Sequence, residues 1–418
     1  MDKIRIQGPS HLKGTVRASG AKNAVLPEMA ATLLVEGPVR LHNVPVVRDV
    51  QTMTRVLRHL GMRQLTLEGN VLQADGGAPG EPEAPYDLVR TMRASILVLG
   101  PLLARLGRAK VSLPGGCAIG ARPIDLHIEA LRRMGADIVI EHGYVSAACR
   151  RLKGAEIVFD DRTVTGTENI MMAAVLADGR SVLKGCALEP EIVDLARFLT
   201  ACGARIEGAG TSRIVIDGVQ RLHGAEHTVI PDRIETGTFL MAAAATRSGV
   251  TVERCDASHL EAVLDKLQEC GVVVRVDGDS ITVQPDGPLR AANVTTRPYP
   301  DFPTDLQAQF MALMTRAEGV SIITETVFEN RLMHVGELRR MGARIVVDGE
   351  TAIVAGPAPL SGAPVMASDL RASACLIVAG LAAEGETVIN RAYHIDRGYE
   401  KVETKFQGLG ARIERISG

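Results

Sequence analysis

The sequence has little that would place the protein in a membrane or on a nucleic acid. Lys and Arg number 47 against 49 Asp and Glu, so the formal net charge is −2, and a basic nucleic-acid-binding protein is not expected. Apolar stretches such as residues 95–104 and 374–383 end well short of the ~18 residues of a membrane span. The N-terminal MDKIRIQG also lacks the apolar core of a signal peptide. We therefore expect a cytoplasmic protein with no membrane association.

Cysteine is sparse, and its spacing argues against two common kinds of site. The seven cysteines lie at positions 117, 149, 186, 202, 255, 270 and 375 with no CxxC pair. This pattern disfavours both a disulfide framework and a structural zinc site, so we expect no metal and no cofactor. Five of the cysteines stand in contexts typical of small buried hydrophobic residues: Cys186, Cys202, Cys255, Cys270 and Cys375.

An internal repeat runs through the whole chain. A short helical pattern ends in a glycine and leads into an alternating strand pattern at six places, with spacings of 74, 68, 68, 71 and 68 residues. A glycine that ends a helix is free to adopt a positive φ before the chain turns into a strand. The six positions are Gly61, Gly135, Gly203, Gly271, Gly342 and Gly410.

A second set of glycines defines the rest of each repeat. Each follows a helical stretch that is apolar nearly all round and precedes a strand, so we expect this first helix to be buried. The second helix of each repeat, as in IDLHIEALRRMG, is amphipathic and is expected to cover a sheet. The second set is Gly37, Gly107, Gly179, Gly249, Gly319 and Gly385.

The repeats are expected to form two lobes of three. The chain has 418 residues, of which 46% are hydrophobic, 23% charged and only 3% aromatic, and single cores rarely grow beyond ~250–300 residues. The last repeat stops at the C-terminus, and residues 1–22 resemble the paired strands that it lacks. We therefore expect lobe I at residues 23–231 and lobe II at residues 1–22 with 232–418.

The second repeat carries an insertion that points to chemistry. Its excess length lies in the loop LPGGCAIGARP, where Gly115, Gly116 and Gly120 make the backbone permissive. Cys117 lies near the tip of this loop, and Arg122 follows five residues later, where a cation would lower the pKa of a thiol. A chemical role for Cys117 is therefore favoured over the alternative that it is another small buried residue.

The starts of the buried helices indicate an anion site. Lys22, Arg93 and Arg371 recur at equivalent positions of different repeats, and helix N-termini add unpaired N–H groups and partial positive charge. Asp305 and Asp369 open two further helices; each is either a helix N-cap or a candidate general base whose pKa nearby cations would lower. Arg397 and Arg331 occupy corresponding loops of the last two repeats.

The sequence resembles a known family, the UDP-N-acetylglucosamine 1-carboxyvinyltransferases. The resemblance covers the whole chain and rests on long strings: SGAKNA (19–24), MRASI (92–96), LPGGCAIGARPIDLH (113–127), PDRIETGTF (231–239), ITETVFENR (323–331), DLRAS (369–373) and YHIDRGYE (393–400). It implies the enolpyruvyl transferase fold, an α/β architecture of two lobes that form an inside-out α/β barrel of six βαβαββ repeats, three per lobe. That count agrees with the one from the glycines.

The resemblance also implies a reaction. The enolpyruvyl group of phosphoenolpyruvate would pass to the 3′-hydroxyl of UDP-N-acetylglucosamine through a tetrahedral ketal, with release of phosphate. This transferase step is the first committed one of peptidoglycan biosynthesis, hence of cell wall biogenesis, cell shape and cell division, and is the target of fosfomycin. The expected partners are these two small molecules, with no nucleic acid, no membrane and a monomeric chain.

Site residues carry over from the family position by position. Cys117 matches the proton donor, Asp305 the proposed base and Asp369 a proton-transfer group, while Lys22, Arg122 and Arg397 match the cations around phosphoenolpyruvate and Arg371 lies near its carboxylate. The substrate-binding set, which includes Lys22, Asp305, Arg371 and Arg397, also contains Asn23, Arg93, Arg122, Pro123, Ile124, Asp125, Leu126, Arg162, Thr163, Val164, Thr165, Gly166, Val327 and Phe328. Arg162, Val164 and Arg48 stand where other members carry lysine, serine and lysine.

Two other functions remain open at this stage. An enzyme like 5-enolpyruvylshikimate-3-phosphate synthase would share the fold and phosphoenolpyruvate, but that family lacks a cysteine-bearing PGGC loop. A non-catalytic descendant that binds a sugar nucleotide as a regulator would be favoured by loss of Cys117, Lys22 or Arg397, and all three are present.

Overall fold

The computed structural model describes residues 2–62, 64–75, 80, 82–113 and 124–417. The described chain forms two compact units. The discontinuous unit comprises residues 2–19 and 231–417, and the continuous unit comprises the described residues between 20 and 230. Each unit has its own hydrophobic core.

The described strands of the continuous unit form three four-stranded sheets and one two-stranded pair, β15 (Leu222–His223) with β3 (Val35–Glu36). In order of pairing, the first sheet contains β16 (Glu226–Thr228), β4 (Pro38–His42), β6 (Val71–Asp75) and β5 (Leu65–Glu68). The second contains β7 (Glu83–Ala84), β8 (Arg108–Ser112), β10 (Tyr144–Ala148) and β9 (Asp137–Glu141). The third contains β11 (Glu156–Val158), β12 (Arg180–Lys184), β14 (Arg213–Asp217) and β13 (Arg205–Glu207).

The described strands of the discontinuous unit form three more four-stranded sheets. The first contains β24 (Pro364–Met366), β25 (Gly385–Asn390), β1 (Lys3–Gly8) and β26 (Arg412–Ile416). The second contains β18 (Val272–Asp277), β19 (Ser280–Pro285), β17 (Gly249–Glu253) and β2 (Lys13–Arg17). The third contains β20 (Val294–Thr295), β21 (Gly319–Thr324), β23 (Thr351–Gly356) and β22 (Arg344–Asp348).

All six four-stranded sheets have the same pairing. In each, one edge strand pairs in parallel with its neighbour, and the other two pairings are antiparallel. The N-terminal residues take part in two of the sheets: β1 lies antiparallel between β25 and β26, whereas β2 pairs in parallel with β17. Both N-terminal strands were expected to complete the last repeat, but only β1 joins its sheet.

The first helix of each repeat is buried, as its composition predicts. All thirteen residues of α12 are buried, and so are twelve of the thirteen residues of α8. A helix without a polar face gains most when every side leaves water. No helix among the described residues is both long and apolar enough to cross a membrane. The first helices of the six repeats are α1 (Lys22–Ala31), α4 (Leu99–Leu106), α6 (Val164–Ala174), α8 (Arg233–Ala245), α10 (Thr304–Met314) and α12 (Leu370–Ala382).

In the second repeat the buried helix is interrupted. Residues Arg93–Val98 form a 3₁₀ helix, and α4 follows it. The side chain of Asn169 bridges the break, because its Oδ1 accepts from the Gly100 N–H at 2.8 Å while its Nδ2 donates to the Ile96 carbonyl at 3.3 Å. A Cβ at Gly100 would lie 2.4 Å from Asn169 Oδ1, so this contact requires glycine.

The second helix of each repeat is amphipathic and covers its sheet. In α5, His127, Ile128, Ala130 and Leu131 are buried, while its charged residues remain exposed. This three-to-four-residue spacing places one face on the core. The set is α2 (Arg48–His59), α5 (Asp125–Arg133), α7 (Pro190–Ala201), α9 (Glu261–Glu269), α11 (Val335–Arg340) and α13 (Val402–Gly408), and a short helix, α3 (Tyr86–Val89), lies outside this pattern.

The glycines of the first set behave as the sequence predicts. All six glycines of the first set have positive φ, from 86° to 106°. Five of the second set do too, but Gly249 does not; the left-handed residue there is Arg247, with φ 52°. The prediction for the cysteines is confirmed, because Cys186, Cys202, Cys255, Cys270 and Cys375 are buried, whereas Cys149 is half-buried.

Candidate active site

The candidate residues fall into two groups, one in each unit. Asp305, Val327, Phe328, Asp369, Arg371 and Arg397 lie in the discontinuous unit, and Lys22, Asn23, Arg93, residues 124–126 and residues 162–166 lie in the continuous unit. Cys117, Arg122 and Pro123 lie outside the described residues.

Asp305 lies between two buried arginines. Its Oδ1 accepts from Nη2 of Arg331 and its Oδ2 accepts from Nη2 of Arg371, both at 2.7 Å. The arginine side chains are 4% and 6% exposed, while that of Asp305 is 26% exposed. Asp305 occupies the first turn of α10, whose N-cap is Pro303. The alternative that Asp305 is a helix N-cap is therefore wrong.

This arrangement keeps Asp305 ionised. Burial would raise the pKa of its carboxyl, but the charges of Arg371 and Arg331 hold that pKa well below its usual value. Asp305 is therefore a weak base and a strong hydrogen-bond acceptor. Burial likewise works against the charge of Arg371, but Asp305 raises the pKa of its guanidinium.

A network of polar side chains holds Arg371 in position. The buried hydroxyl of Tyr399 lies 3.4 Å from Nη1 of Arg371, 2.8 Å from the Thr238 hydroxyl and 3.3 Å from Nε2 of Gln309. Gln309 also donates to Thr238 at 3.1 Å. These contacts restrict the rotamer of Arg371, so its position does not depend on Asp305 alone.

Arg331 is the functional candidate that sequence reasoning undervalued. It is 5% exposed, and its Nη1 finds no acceptor among the described residues. Its correspondence to Arg397 in the neighbouring repeat was visible, but nothing in the sequence indicated the ion pair with Asp305. A buried donor beside a bound carboxylate is suited to an anionic ligand.

Asp369 is a helix N-cap, which is one of its two expected roles. Its Oδ1 accepts from the backbone N–H groups of Arg371 and Ala372 at 2.9 and 3.0 Å, and Ser368 donates to Oδ2 at 2.9 Å. Burial opposes its ionisation, yet these bonds and the charge of Arg331 lower its pKa. Nearby His334 is neutral, because burial, with the charge of Arg331, lowers its pKa to about 4.

Arg397 lies in the 3₁₀ helix Ala392–Arg397, beside His394. Burial and then the charge of Arg397 lower the pKa of His394, so the two side chains are close enough to interact. Asp396 points its carboxylate to Arg415, which donates from Nη1 to Oδ2 at 3.1 Å.

The segment that contains Val327 and Phe328 is anchored by a buried carboxylate. Oε1 of Glu325 accepts from the backbone N–H of both residues at 2.9 and 3.2 Å and from the Thr296 hydroxyl at 2.9 Å. Its Oε2 accepts from Thr304, the first residue of α10, at 2.8 Å. Glu325 therefore positions two residues of the predicted substrate-binding set and the helix that carries Asp305.

In the continuous unit, Lys22 begins α1 and pairs with a residue that the sequence did not single out. Its Nζ lies 3.3 Å from Oδ2 of Asp49, in the first turn of α2, and both side chains are largely buried. Asn23 follows Lys22 and is half-buried. Asp49 thereby compensates part of the Lys22 charge.

The segment 162–166 forms the start of α6. Thr163 is the N-cap, and its hydroxyl accepts from the Gly166 N–H at 3.1 Å. Arg162 is exposed, and Val164 and Thr165 are half-buried. The start of a helix presents N–H groups that have no intrahelical acceptor, which suits this segment to an anion.

A histidine in the preceding helix, α5, determines how the Thr165 hydroxyl is used. Asn169 presents its amide hydrogens to Nδ1 of His127 at 3.0 Å, since its oxygen already accepts from Gly100. Nδ1 is therefore the acceptor, and the ring proton is on Nε2, which lies 3.3 Å from the Thr165 hydroxyl. His127 donates to Thr165, and the Thr165 hydrogen remains free to donate elsewhere.

His127 should make stability depend on pH. Burial and then the charge of Arg93 lower its pKa from 6.5 to about 4. The folded-state pKa lies below the unfolded one, so stability falls as the pH falls from 6.5 towards 4. We expect wild type to lose about 2 kcal/mol more unfolding free energy between pH 7.5 and pH 5 than His127→Asn. Urea unfolding at both pH values measures the loss of unfolding free energy. His59→Asn, which changes an exposed histidine, is the control. Equal losses in wild type, His127→Asn and His59→Asn would refute the prediction.

Comparison with known proteins gives a consistent result. Residues 6–406 match the EPSP synthase (3-phosphoshikimate 1-carboxyvinyltransferase) family. A UDP-N-acetylglucosamine 1-carboxyvinyltransferase from Koribacter versatilis (strain Ellin345) is 57% identical, over 100% of this chain and 97% of the relative. The enolpyruvyl transferase NikO from Streptomyces tendae superposes with a TM-score of 0.89 at 28% identity, over 100% of this chain and 99% of its own. EPSP synthase from Acinetobacter baumannii does so with a TM-score of 0.75 at 20% identity, over 100% of both chains.

Proposed function

The chain belongs to the EPSP synthase family, and we propose that it transfers the enolpyruvyl group of phosphoenolpyruvate to the 3′-hydroxyl of UDP-N-acetylglucosamine. The observation that carries this function is 57% identity over the full chain to an enzyme named for that reaction. The reaction commits the sugar nucleotide to peptidoglycan, so the protein acts in cell wall biogenesis, and thereby in cell shape and division, in the cytoplasm. The likeness to EPSP synthase at 20% identity supports the fold alone.

The reaction proceeds by addition and then elimination. A proton is added to the terminal vinyl carbon of phosphoenolpyruvate, and the sugar oxygen bonds to the adjacent carbon to form a tetrahedral ketal. The bond from that carbon to the phosphate oxygen then breaks, and the methyl group loses a proton to restore the vinyl group. Cys117 is the proposed acid, since a thiol tuned by Arg122 releases its proton near neutral pH.

Asp305 is the proposed acceptor for the hydroxyl proton. Each of its oxygens accepts one guanidinium N–H and retains capacity for a further hydrogen bond. Its low pKa makes it a weak base for an ordinary alcohol. The hydroxyl becomes far more acidic as it bonds to the cationic carbon, so a weak base that is correctly positioned is sufficient.

The cations divide between the anionic groups of the two substrates. Lys22, Arg122 and Arg397 are proposed to bind the phosphate of phosphoenolpyruvate, and Arg371 its carboxylate. The diphosphate of the nucleotide is proposed to bind Arg93, residues 122–126 and the start of α6 at residues 162–166. Arginine suits these groups because its planar fork matches their oxygen pairs.

Thr165→Val should weaken nucleotide binding selectively. Because His127 donates to the Thr165 oxygen, the Thr165 hydrogen is available to a phosphate oxygen and offsets the absence of a serine at Val164. We expect the KM for UDP-N-acetylglucosamine to rise about 10-fold, with kcat and the KM for phosphoenolpyruvate little changed. Thr165→Ser should restore the wild-type KM, and the exposed Thr200→Val is the control. A wild-type KM in Thr165→Val would remove this contact.

The function is tested by phosphate release. Wild type is assayed with phosphoenolpyruvate and either UDP-N-acetylglucosamine or shikimate 3-phosphate, beside Cys117→Ala. Release that requires the sugar nucleotide and falls at least about 10³-fold in the variant supports the proposal. Release with shikimate 3-phosphate instead would favour the shikimate enzyme. No release from a folded protein that binds the nucleotide would favour a regulator.

The same protein allows a chemical test of the Cys117 loop. Fosfomycin is an epoxide, and an activated Cys117 thiolate is expected to open it and form a covalent adduct. Intact-mass analysis with peptide mapping should show one adduct at Cys117 and none at the other six cysteines, five of which are buried. An adduct at any other cysteine would contradict the role of this loop.

A further inference from the structure

Three side chains that the reaction does not use meet inside the continuous unit. Glu28 comes from the middle of the buried helix α1, Asp194 from α7 and His227 from the edge strand β16. Nε2 of His227 lies 2.9 Å from Oδ1 of Asp194 and 3.4 Å from Oε1 of Glu28. One ligand atom from each residue lies within 4.8 Å of the other two.

Glu28 is the member that needs an explanation. Its side chain is fully buried, and neither carboxylate oxygen accepts a hydrogen bond from the described residues. Asp194 differs, because its Oδ2 accepts from the Ile230 N–H at 3.0 Å. A buried carboxylate without hydrogen bonds is costly unless a proton or a cation neutralises it.

A further buried carboxyl group lies near Glu28. Glu168 of α6 is also buried, with one oxygen that finds no partner among the described residues. Burial first, and then the charges of Glu191, Glu189 and Glu28, raise its pKa well above the usual value. Glu168 and Glu28 are therefore close enough to interact.

The three ligand atoms match the requirements of a metal. A divalent ion about 2.0–2.2 Å from one imidazole nitrogen and two carboxylate oxygens holds those atoms about 3.0–3.5 Å apart. This is close to the 2.9 and 3.4 Å that separate Nε2 of His227 from Oδ1 of Asp194 and Oε1 of Glu28. Mixed imidazole and carboxylate ligands suit zinc and manganese. Outer contacts hold two of the ligands in place: Ile230 binds the second oxygen of Asp194, and the Phe198 ring lies 5.7 Å from that of His227.

We propose that Glu28, Asp194 and His227 form a binding site for one divalent transition-metal cation in the continuous unit. The ion would bind Nε2 of His227, Oδ1 of Asp194 and Oε1 of Glu28, and the proton on Nε2 would leave to solvent. The His227 side chain is 12% exposed and the two carboxylates are buried, so the ion enters from the imidazole side. It would link α1, which begins at Lys22, to α7 and β16.

The competing occupant is a proton shared among the same three groups. Burial opposes the charge of His227, but its contacts with Asp194 and Glu28 raise its pKa to about 10. Proton competition weakens as the pH rises, so titrations are carried out at pH 8 rather than below neutrality; the metal must still displace the proton of His227 there. The proposal stands apart from the transferase reaction, so its failure would leave that function untouched.

The test uses the full chain, stripped with EDTA and dialysed. Zn²⁺ and Co²⁺ are titrated separately, with calorimetry for stoichiometry, the shift in Tm on metal addition, and the visible spectrum of the Co²⁺ form. We expect one ion per chain, a rise in Tm of about 4 °C at 100-fold excess over Kd, and a zinc absorption-edge spectrum with nitrogen and oxygen neighbours but no sulfur.

Matched variants separate a metal site from a proton-filled cluster. Glu28→Gln and His227→Gln each remove one ligand and are expected to weaken Co²⁺ binding at least about 10-fold. Glu168→Gln changes a neighbouring buried carboxylate outside the triad and should bind like wild type. Because Glu28→Gln also removes a buried charge, its Tm without metal can differ from that of wild type for reasons unrelated to binding. The readout is therefore the change in Tm when metal is added.

Three results would overturn the proposal. They are fewer than about 0.1 ions per chain in wild type, unchanged Co²⁺ binding in both ligand variants, or a zinc spectrum with sulfur neighbours, which would place the ion on cysteines. If Glu28→Gln fails to fold, His227→Gln decides alone, because glutamine keeps a donor for Asp194 while it removes the imidazole ligand.

Discussion

Asp305→Asn is expected to lower kcat/KM about 10³-fold. The carboxylate balances two guanidiniums that are 4% and 6% exposed, and both of its oxygens accept from them at 2.7 Å. An amide has one oxygen and one NH₂ group, so one arginine would face a donor instead of an acceptor. The variant also lacks the group proposed to accept the hydroxyl proton. Steady-state kinetics with both substrates measure the loss.

Stability separates the two consequences of that substitution. Two buried arginines without a balancing charge should cost about 3 kcal/mol of unfolding free energy, measured by urea unfolding at pH 7.5. Asp301 is an exposed carboxylate four residues earlier, so Asp301→Asn should change neither kcat/KM nor the unfolding free energy. Activity within threefold of wild type in Asp305→Asn would remove Asp305 from the chemistry.

The pKa of Asp305 is held well below its usual value, and this determines how its contribution to folding stability changes with pH. The folded pKa lies below the unfolded one, so the stabilisation is fully present above the unfolded pKa of about 3.9 and is lost as the pH falls through the folded pKa. Asp305 should therefore contribute no ionisation to the pH profile of kcat/KM above pH 5.

Glu325→Ala is expected to cost about 3 kcal/mol of unfolding free energy. The buried carboxylate accepts from two backbone N–H groups and two threonine hydroxyls, and alanine would leave all four donors without an acceptor. Val327 and Phe328 lose their anchor, so the KM for UDP-N-acetylglucosamine should rise about 10-fold, more than kcat falls. Urea unfolding and steady-state kinetics measure these effects.

Glu325→Gln and Glu350→Ala are the controls for this prediction. Glutamine keeps one acceptor oxygen and should recover part of the stability, while Glu350 is exposed and its alanine variant should match wild type. A stable Glu325→Ala variant with an unchanged nucleotide KM would show that the 327–328 segment does not depend on Glu325.

Much of the fold could be predicted from local patterns. Gly61 and its five equivalents end helices in left-handed conformations, and the apolar helices are buried, because both properties depend on residues within a few positions of one another. The exceptions involve distant partners. The helix before Gly107 is interrupted where Asn169 replaces a backbone bond, and the strand β2 pairs with β17.

The candidate site was predictable as a set of residues but not as an arrangement. Asp305, Asp369 and Arg371 were identified in advance, yet their partners were not: Asp305 pairs with Arg331 and Arg371, whereas Asp369 serves as a helix N-cap. Asp49 lies outside the matching strings, and Glu325 and His127 lie within them without any role being indicated. Their roles depend on contacts with other segments of the chain.

The sequence by itself determined the six repeats, the buried helices, the buried cysteines and the family, because each depends on the spacing of nearby residues or on strings of matching residues. Only the tertiary structure decided which charges meet: Arg331 and Arg371 at Asp305, and Glu28 with Asp194 and His227. The physical reason is that Coulomb and hydrogen-bond energies depend on separations of a few ångströms and on burial. Neither quantity exists until distant segments have packed together.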